Sequence, residues 1–162
     1  DYAALIGYLR SVPATDKQPP ATEVGPLGKI LDPLDKIELN VTRRMDHSAK
    51  RPSAPAPEVS PAYGQYVSKL CIGCHGSSYS GGPIPGAPPE LPVPKNITLH
   101  ETGIAHYDFA KFDTLMRKGL KPDGSKLDPF MAVKATSALT ETEMKALWAF
   151  LQSAPKKPFG GR

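Results

Sequence analysis

The chain has 162 residues, and its 19 prolines and 14 glycines make up about a fifth of the sequence, while aromatic residues contribute only 7%. This composition leaves little material for a large core of protein side chains alone, and two cysteines exclude both a disulfide scaffold and a four-cysteine metal site. The net charge is +4, but the basic residues are not clustered in the way that would predict nucleic-acid binding. The sequence contains no run of about 18 apolar residues and therefore no predicted transmembrane segment.

The first predicted element is a terminal helix over residues 1–12, where apolar residues recur at helical spacing until Pro13 ends the pattern. Residues 4–13 align with residues 146–155 at a constant offset of 142, with five of ten positions identical. Two generic amphipathic helices can match in this way by chance. The more specific interpretation is that residues 1–12 are the remnant of an upstream domain of the same kind as the one that ends the chain.

The next predicted segment is a proline-rich linker over residues 13–56. Prolines recur there every few residues, which favours extended, solvated backbone. A short helix is predicted within it at 26–37, with proline near its start. Beyond the linker, we expect one domain over residues 57–155 and a tail over 156–162.

Three helices are predicted in that domain from capping residues, turn residues and apolar spacing, at 60–70, 108–118 and 140–154. The first of them runs directly into Cys71. No convincing alternation of apolar and polar residues predicts a strand. The fold class is therefore predicted to be all-α.

The sequence Cys71-Ile-Gly-Cys74-His75 carries the strongest chemical signal in the chain. Two thiols one helical turn apart can add to the two vinyl groups of haem, and the adjacent histidine then lies beneath the iron. A zinc site would need a second ligand pair, a thioredoxin-like pair would need a βαβ context, and a disulfide would leave His75 unexplained. We therefore predict one covalently attached haem c, whose large apolar surface would also supplement the small core.

Met131 is the predicted second axial ligand of the iron. It follows Pro129-Phe130 in an irregular segment, 56 residues after His75. Such a loop can bring a thioether to the far face of the haem, and methionine–histidine ligation raises the reduction potential.

Four other residues downstream of the motif can bind iron. His100 and His106 are the alternatives to the methionine as sixth ligand. Met116 and Met144 lie on apolar helix faces, where core packing is the expected role.

These features resemble the class I c-type cytochromes, specifically the bacterial mono- and dihaem variants, over about residues 57–155. The matching pieces occur in family order: 63–66, 71–76, 96–98, 102–104, 119–124, 130–131 and 147–151. The resemblance assigns Cys71 and Cys74 to haem attachment, His75 to the proximal iron position and Met131 to the distal one.

The resemblance also implies a small helical fold in which the first and last helices cross beside the haem. Gly64 would let these helices approach, and Tyr66 with Trp148 or Phe150 would fill the crossing. The loop over residues 83–94 should cover the proximal face. Dihaem relatives join two such domains through a proline-rich linker, which agrees with the repeat at residues 1–12.

The predicted function is electron transfer, because two filled axial positions leave little room for a substrate at the iron. No catalytic residue is predicted. We expect a periplasmic or otherwise extracytoplasmic protein, peripheral to the membrane, that passes single electrons between redox partner proteins as part of a larger respiratory or photosynthetic complex. Basic residues near the Met131 loop would steer an acidic partner: Arg117, Lys118, Lys121, Lys126 and Lys134.

Two alternative functions remain from the sequence. A peroxidase-like haem enzyme would need an open distal site with acid–base groups, for which only His100 and His106 are available. The domain would otherwise be a structural module of a membrane complex, as the long linker permits.

Overall fold

A computed structural model describes residues 2–37, 39–50 and 53–162 of the chain. The chain divides into two compact units, residues 1–51 and 52–162. The described helices are α1 (Tyr2–Ser11), α2 (Pro26–Leu31), α3 (Pro61–Val67), α4 (Ile72–His75), α5 (Phe109–Lys118), α6 (Val133–Thr136) and α7 (Glu141–Ser153). Short 3₁₀ turns lie at Val41–Arg44 and Ser68–Leu70.

The predicted helical class without strands is confirmed for the described residues. Their only extended pairing is an isolated bridge between Leu120 and Lys126. Coil nevertheless accounts for much of the chain, because prolines and glycines interrupt both units.

The unit of residues 1–51 contains α1 and α2. No side chain of α1 is buried, and Leu5, Ile6 and Leu9 remain 46–60% exposed. Helix α2 covers only six residues and is therefore shorter than the predicted helix at 26–37. Asp32, which follows it, accepts hydrogen bonds from the Leu39 backbone N–H and the Arg43 guanidinium, both at 3.0 Å.

In the unit of residues 52–162, α3 and α7 pack directly against each other. Gly64 of α3 lies so close to α7 that a Cβ there would overlap the Ala146 carbonyl and lie 2.6 Å from Phe150 Cβ. The approach expected at Gly64 is thus confirmed. Phe150 lies at this contact, whereas Trp148 packs on Phe112 of α5 with ring centroids 5.0 Å apart.

Side-chain caps explain where the longer helices of this unit begin. Ser60, Asp108 and Thr140 each accept a hydrogen bond from a backbone N–H in the first turn. The Glu143 carboxylate in turn accepts a hydrogen bond from the Thr140 N–H at 2.7 Å, which completes a capping box. Gly119 ends α5 with φ +65°, a left-handed conformation that costs glycine little.

The backbone around Cys71 differs from the continuous helix that the sequence predicts. Helix α3 ends at Val67, a 3₁₀ turn follows, and α4 begins again at Ile72. The fully buried Ser68 hydroxyl donates to the Gln65 carbonyl and accepts from the Tyr79 hydroxyl at 2.8 Å. These contacts tie the break in the helix to the following loop.

Candidate functional site

Helix α4 positions the Cys71–His75 motif. Cys71 immediately precedes this one-turn helix, Cys74 is exposed on it, and His75 is buried at its end. Neither cysteine forms a disulfide. Gly76, with φ +79°, then turns the chain away from the helix.

The His75 ring is held by a hydrogen bond to the backbone of a distant loop. Its Nδ1 lies 2.7 Å from the Lys95 carbonyl oxygen. Because a carbonyl can only accept, Nδ1 carries the proton, and Nε2 is the ring nitrogen with a free electron pair for a metal. Burial lowers the pKa of His75 below its usual value. The imidazole is therefore neutral at pH 7, the form that coordinates iron.

Cys71 has the opposite character to a redox-active cysteine. Burial, with a smaller contribution from Cys74, raises the pKa of its thiol to about 11. Reactive cysteines in Cys-x-x-Cys redox motifs have lowered pKa values, because the thiolate is the nucleophile. The environment of Cys71 thus disfavours the thioredoxin-like interpretation of the motif.

The loop that carries Lys95 is bonded to the segment after His75. The Gly81 N–H donates to the His75 carbonyl at 2.9 Å, and the Gly82 N–H donates to the Pro94 carbonyl at 3.0 Å. The resemblance to the c-type cytochromes implies a proximal loop at 83–94, but it does not identify the carbonyl that orients His75. That carbonyl belongs to the residue directly after the predicted loop.

Met131 lies in a turn between α5 and α6. Its N–H donates to the Asp128 carbonyl at 3.0 Å, and its side chain is partly buried against the core. The helices on either side of this turn are joined by a hydrogen bond: the Thr136 hydroxyl of α6 donates to the Met116 carbonyl of α5 at 2.7 Å. A cavity of about 330 Å³ adjoins Met131, and neither His75 nor the two cysteines line it.

The other candidate ligands are engaged elsewhere. His100 Nδ1 accepts from the Thr102 backbone N–H at 3.2 Å and contacts the Thr102 hydroxyl at 2.9 Å. The His106 ring packs beside Tyr107, with centroids 4.8 Å apart. Met116 and Met144 are buried in the core, as the apolar helix faces predict.

The predicted basic surface around Met131 needs one correction. Arg117 is bound within the fold: its guanidinium donates to Asp113 at 2.8 Å and to the Ser137 and Leu139 carbonyls at 3.1 Å. The Arg117 guanidinium therefore links α5 to the segment between α6 and α7. The side chains of Lys118, Lys126 and Lys134 are exposed and border the cavity beside Met131, together with Asp128.

The residues around the motif fit a covalently held haem. The thiols of Cys71 and Cys74 are unpaired and lie one helical turn apart. In the adjacent neutral His75, Nδ1 is bound by the Lys95 carbonyl, and Nε2 is available to a metal. This donor set is suited to holding a c-type haem.

Several curated relatives of the chain are cytochrome subunits of dehydrogenases. The chain is 39% identical over 100 residues to "Alcohol dehydrogenase (quinone), cytochrome c subunit" of Gluconacetobacter polyoxogenes, a match that covers 57% of the chain and 21% of that protein. It is 30% identical over 110 residues to the fructose dehydrogenase cytochrome subunit of Gluconobacter japonicus, covering 64% of the chain and 23% of that protein. It is also 30% identical over 94 residues to the gluconate 2-dehydrogenase cytochrome c subunit of Pantoea cypripedii, covering 54% of the chain and 21% of that protein.

These matches span only about a fifth of the length of the relatives. No helix among the described residues is long and apolar enough to span a bilayer. The model of the cytochrome c family matches residues 61–155, more than half of the chain. The predicted identification as an electron-transfer c-type cytochrome is therefore confirmed, and the chain belongs to the cytochrome c family.

Proposed function

We propose that residues 57–155 carry one covalent haem c and transfer single electrons to and from partner proteins. Cys71 and Cys74 would form the thioethers, and His75 and Met131 would bind the iron. When bound, the haem supplies a one-electron ferrous–ferric couple. The observation that carries the proposal is the 2.7 Å hydrogen bond between His75 Nδ1 and the Lys95 carbonyl, directly beside the two free thiols.

Met131 is supported as the second ligand by its place in the fold. Met116 and Met144 are buried within the core, at 6% and 0% exposure, and their thioethers pack against other side chains. Met131 is partly buried at the edge of the core, in a turn whose backbone is bonded on both sides. A thioether held there would close the iron to small ligands, which favours electron transfer over peroxidase chemistry.

Binding of carbon monoxide to the reduced protein tests this ligand set. We expect the ferrous wild-type protein to bind carbon monoxide slowly, and the Met131→Ala variant to bind it at least tenfold faster because the sixth position is then open. Met116→Leu is the matched control and should behave as wild type, since Met116 lies in the core. Stopped-flow absorbance of the haem bands measures the rates.

Rapid binding by the wild-type protein would refute Met131 ligation and favour the haem-enzyme alternative. Haem content per chain, from the mass of the intact protein, checks the number of cofactors. A mass corresponding to no haem would refute the function itself.

The partner is proposed to be a dehydrogenase subunit, on the basis of the relatives named above. Exposed Lys118, Lys126 and Lys134 beside Met131 would attract an acidic surface, and Phe130, 42% exposed, would give an apolar contact at the same place. Arg117 is omitted from this surface because its guanidinium is bonded within the fold.

Small redox ions of opposite charge test the sign of this surface. In Lys126→Glu/Lys134→Glu, we expect oxidation by anionic ferricyanide to slow several-fold at low salt, and oxidation by a cationic cobalt(III) complex to accelerate. The double variant Lys29→Glu/Lys36→Glu makes the same change in net charge within residues 1–51 and is the control. Equal effects of the two double variants would refute local steering at the Met131 loop.

The remaining organisation is proposed from the repeat and the exposure of α1. Residues 1–12 would be the last helix of an upstream cytochrome c-like domain, joined by the linker 13–56, in a protein outside the cytoplasm and peripheral to the membrane. The apolar side chains of α1 correspond in sequence to buried residues of α7, yet none of them is buried here. A native polypeptide whose mass places its mature N-terminus at Asp1 would refute the upstream domain.

A further inference from the structure

Residues 156–162, which the sequence predicts as a tail, are bonded to the loop beside His75. We call this segment the strap. The Lys157 carbonyl accepts from Asn96 Nδ2 at 2.7 Å, and the Lys157 N–H donates to the Thr98 hydroxyl oxygen at 3.3 Å. Farther along, the Phe159 N–H donates to the Thr102 hydroxyl at 3.0 Å.

A second set of contacts joins the strap to the segment that follows His75. The Gly160 N–H donates to the Ser80 carbonyl at 3.2 Å, and the Gly161 carbonyl accepts from the Ser78 hydroxyl at 2.5 Å. The strap is thus bonded on both sides of the loop that begins at Gly76 and returns at Asn96.

Arg162 makes the contact nearest to the haem motif. Its guanidinium donates to the Gly82 carbonyl at 2.9 Å and to the Gly73 carbonyl, between the two cysteines, at 3.3 Å. Its side chain also packs on Gly76, where an added Cβ would lie 2.6 Å from Arg162 Cγ.

These hydrogen bonds hold the residues on both sides of Lys95 in place. On one side, the Pro94 carbonyl is held by the Gly82 N–H, and Gly82 is in turn held by Arg162. On the other side, Asn96 is only 2% exposed and its amide is held by the strap. The Lys95 carbonyl that orients His75 therefore lies between two residues that the strap fixes.

We propose that the strap is a positioning element that keeps the Lys95 carbonyl on His75 Nδ1 and thereby sets the reduction potential of the iron. This inference rests on the proposed function, in which His75 ligates a haem. A carbonyl that accepts from the Nδ1 proton makes the imidazole a more basic ligand, which stabilises the ferric state. Loss of the strap weakens that hydrogen bond and shifts the couple towards the ferrous state.

The sign of the potential change separates positioning from simple electrostatics. Deleting residues 156–162 removes Lys156, Lys157 and Arg162, and loss of positive charge alone would favour the ferric state and lower the potential. Loss of positioning raises it instead. We expect the deletion to raise the ferrous-to-ferric ratio at a fixed solution potential about tenfold, which is about 59 mV for one electron.

The experiment compares three haem-loaded proteins by spectroelectrochemical titration: wild type, the deletion of 156–162, and Lys156→Gln/Lys157→Gln. The double variant removes two of the three charges but keeps the backbone contacts of the strap, so its potential should not rise. In the ferrous proteins, exchange of the His75 Nδ1 proton, followed by NMR, should be at least tenfold faster in the deletion than in the other two.

Thr98→Val and Thr98→Ser keep the test decisive if the deletion does not fold. Thr98 is fully buried, and valine replaces its hydroxyl group with a methyl group of similar size. The valine variant should show a raised potential and faster Nδ1 exchange, and the serine variant should restore both.

A lower melting temperature with unchanged potential and unchanged Nδ1 exchange would overturn the proposal, because the strap would then be structural only. A lowered potential in the deletion would overturn it as well. A wild-type chain that takes up no haem would refute the proposed function together with this inference, and is recognised before any variant is made.

Discussion

Helices α1 and α7 have closely similar sequences but very different environments. Five of ten aligned residues are identical, yet α7 buries Leu147 and Leu151 almost completely while the corresponding Leu5 and Leu9 of α1 remain more than half exposed. The difference lies in the partner: α7 packs against α3, where Gly64 allows the two backbones to approach. An amphipathic sequence thus predicts a helix that needs a partner, but the partner determines whether its apolar side is buried.

The largest expected effect comes from the same substitution at two glycines, one in each region. Gly64→Ala places a Cβ in overlap with the Ala146 carbonyl, so we expect a loss of about 3 kcal/mol or more in the free energy of unfolding. Gly7→Ala in α1 meets no atom within 4 Å and should instead increase helicity slightly. Urea denaturation of the haem-loaded chain, followed by circular dichroism, measures both. A tolerated Gly64→Ala would contradict the close α3–α7 contact.

The next largest effect is expected at two aligned leucines, Leu147 of α7 and Leu5 of α1. Leu147→Ala should cost about 2–5 kcal/mol of stability, because Leu147 is 1% exposed and its loss leaves a cavity. Leu5→Ala, at a residue 54% exposed, should cost less than about 0.5 kcal/mol in this chain. In a longer polypeptide that contains the proposed upstream domain, Leu5→Ala should become as costly as Leu147→Ala. If Leu5→Ala still costs less than about 0.5 kcal/mol in that longer polypeptide, the result would contradict the upstream domain.

The smallest expected effect concerns pH and the start of α7. The backbone N–H of Thr140, followed by its side chain, holds the pKa of Glu143 below the ordinary value of 4.5. Stabilisation from a carboxylate with a lowered pKa is present above pH 4.5 and is lost as the pH falls through the folded-state value. The described first turn of α1 contains no acidic residue.

Glu143→Gln should therefore reduce the loss of stability of the 52–162 unit on acidification below pH 4.5. Melting temperatures at several pH values, for wild type and variant, measure the difference. Glu101→Gln, at an exposed loop residue, is the control for the loss of one negative charge. Parallel pH profiles for wild type and Glu143→Gln would contradict the role of the capping box.

Much of the fold is predictable because it depends on short-range rules. Ser60, Asp108 and Thr140 mark helix starts through their side-chain oxygens, and Gly119 marks a helix end through its left-handed backbone. The Cys71–His75 motif is equally local, since the spacing of its residues carries the chemistry.

Contacts made by backbone atoms could not be predicted from the sequence. The Lys95 carbonyl and the Lys157 carbonyl act through a group that every residue possesses, so no residue type identifies them. Arg117 illustrates the related difficulty for charges. Its basic side chain predicted a docking residue, but the Ser137 and Leu139 carbonyls bind it within the fold.

The α3–α7 contact also has a consequence for the order of folding. Gly64 and Ala146 are 82 residues apart in sequence, so their contact closes a long loop. The chain loses the conformational entropy of this loop before the burial of apolar side chains stabilises it. Because closing this long loop is slow relative to local helix formation, Cys71 and Cys74 lie on an open chain until α3 and α7 meet. The two thiols are accessible to a cofactor in that interval, before the domain closes.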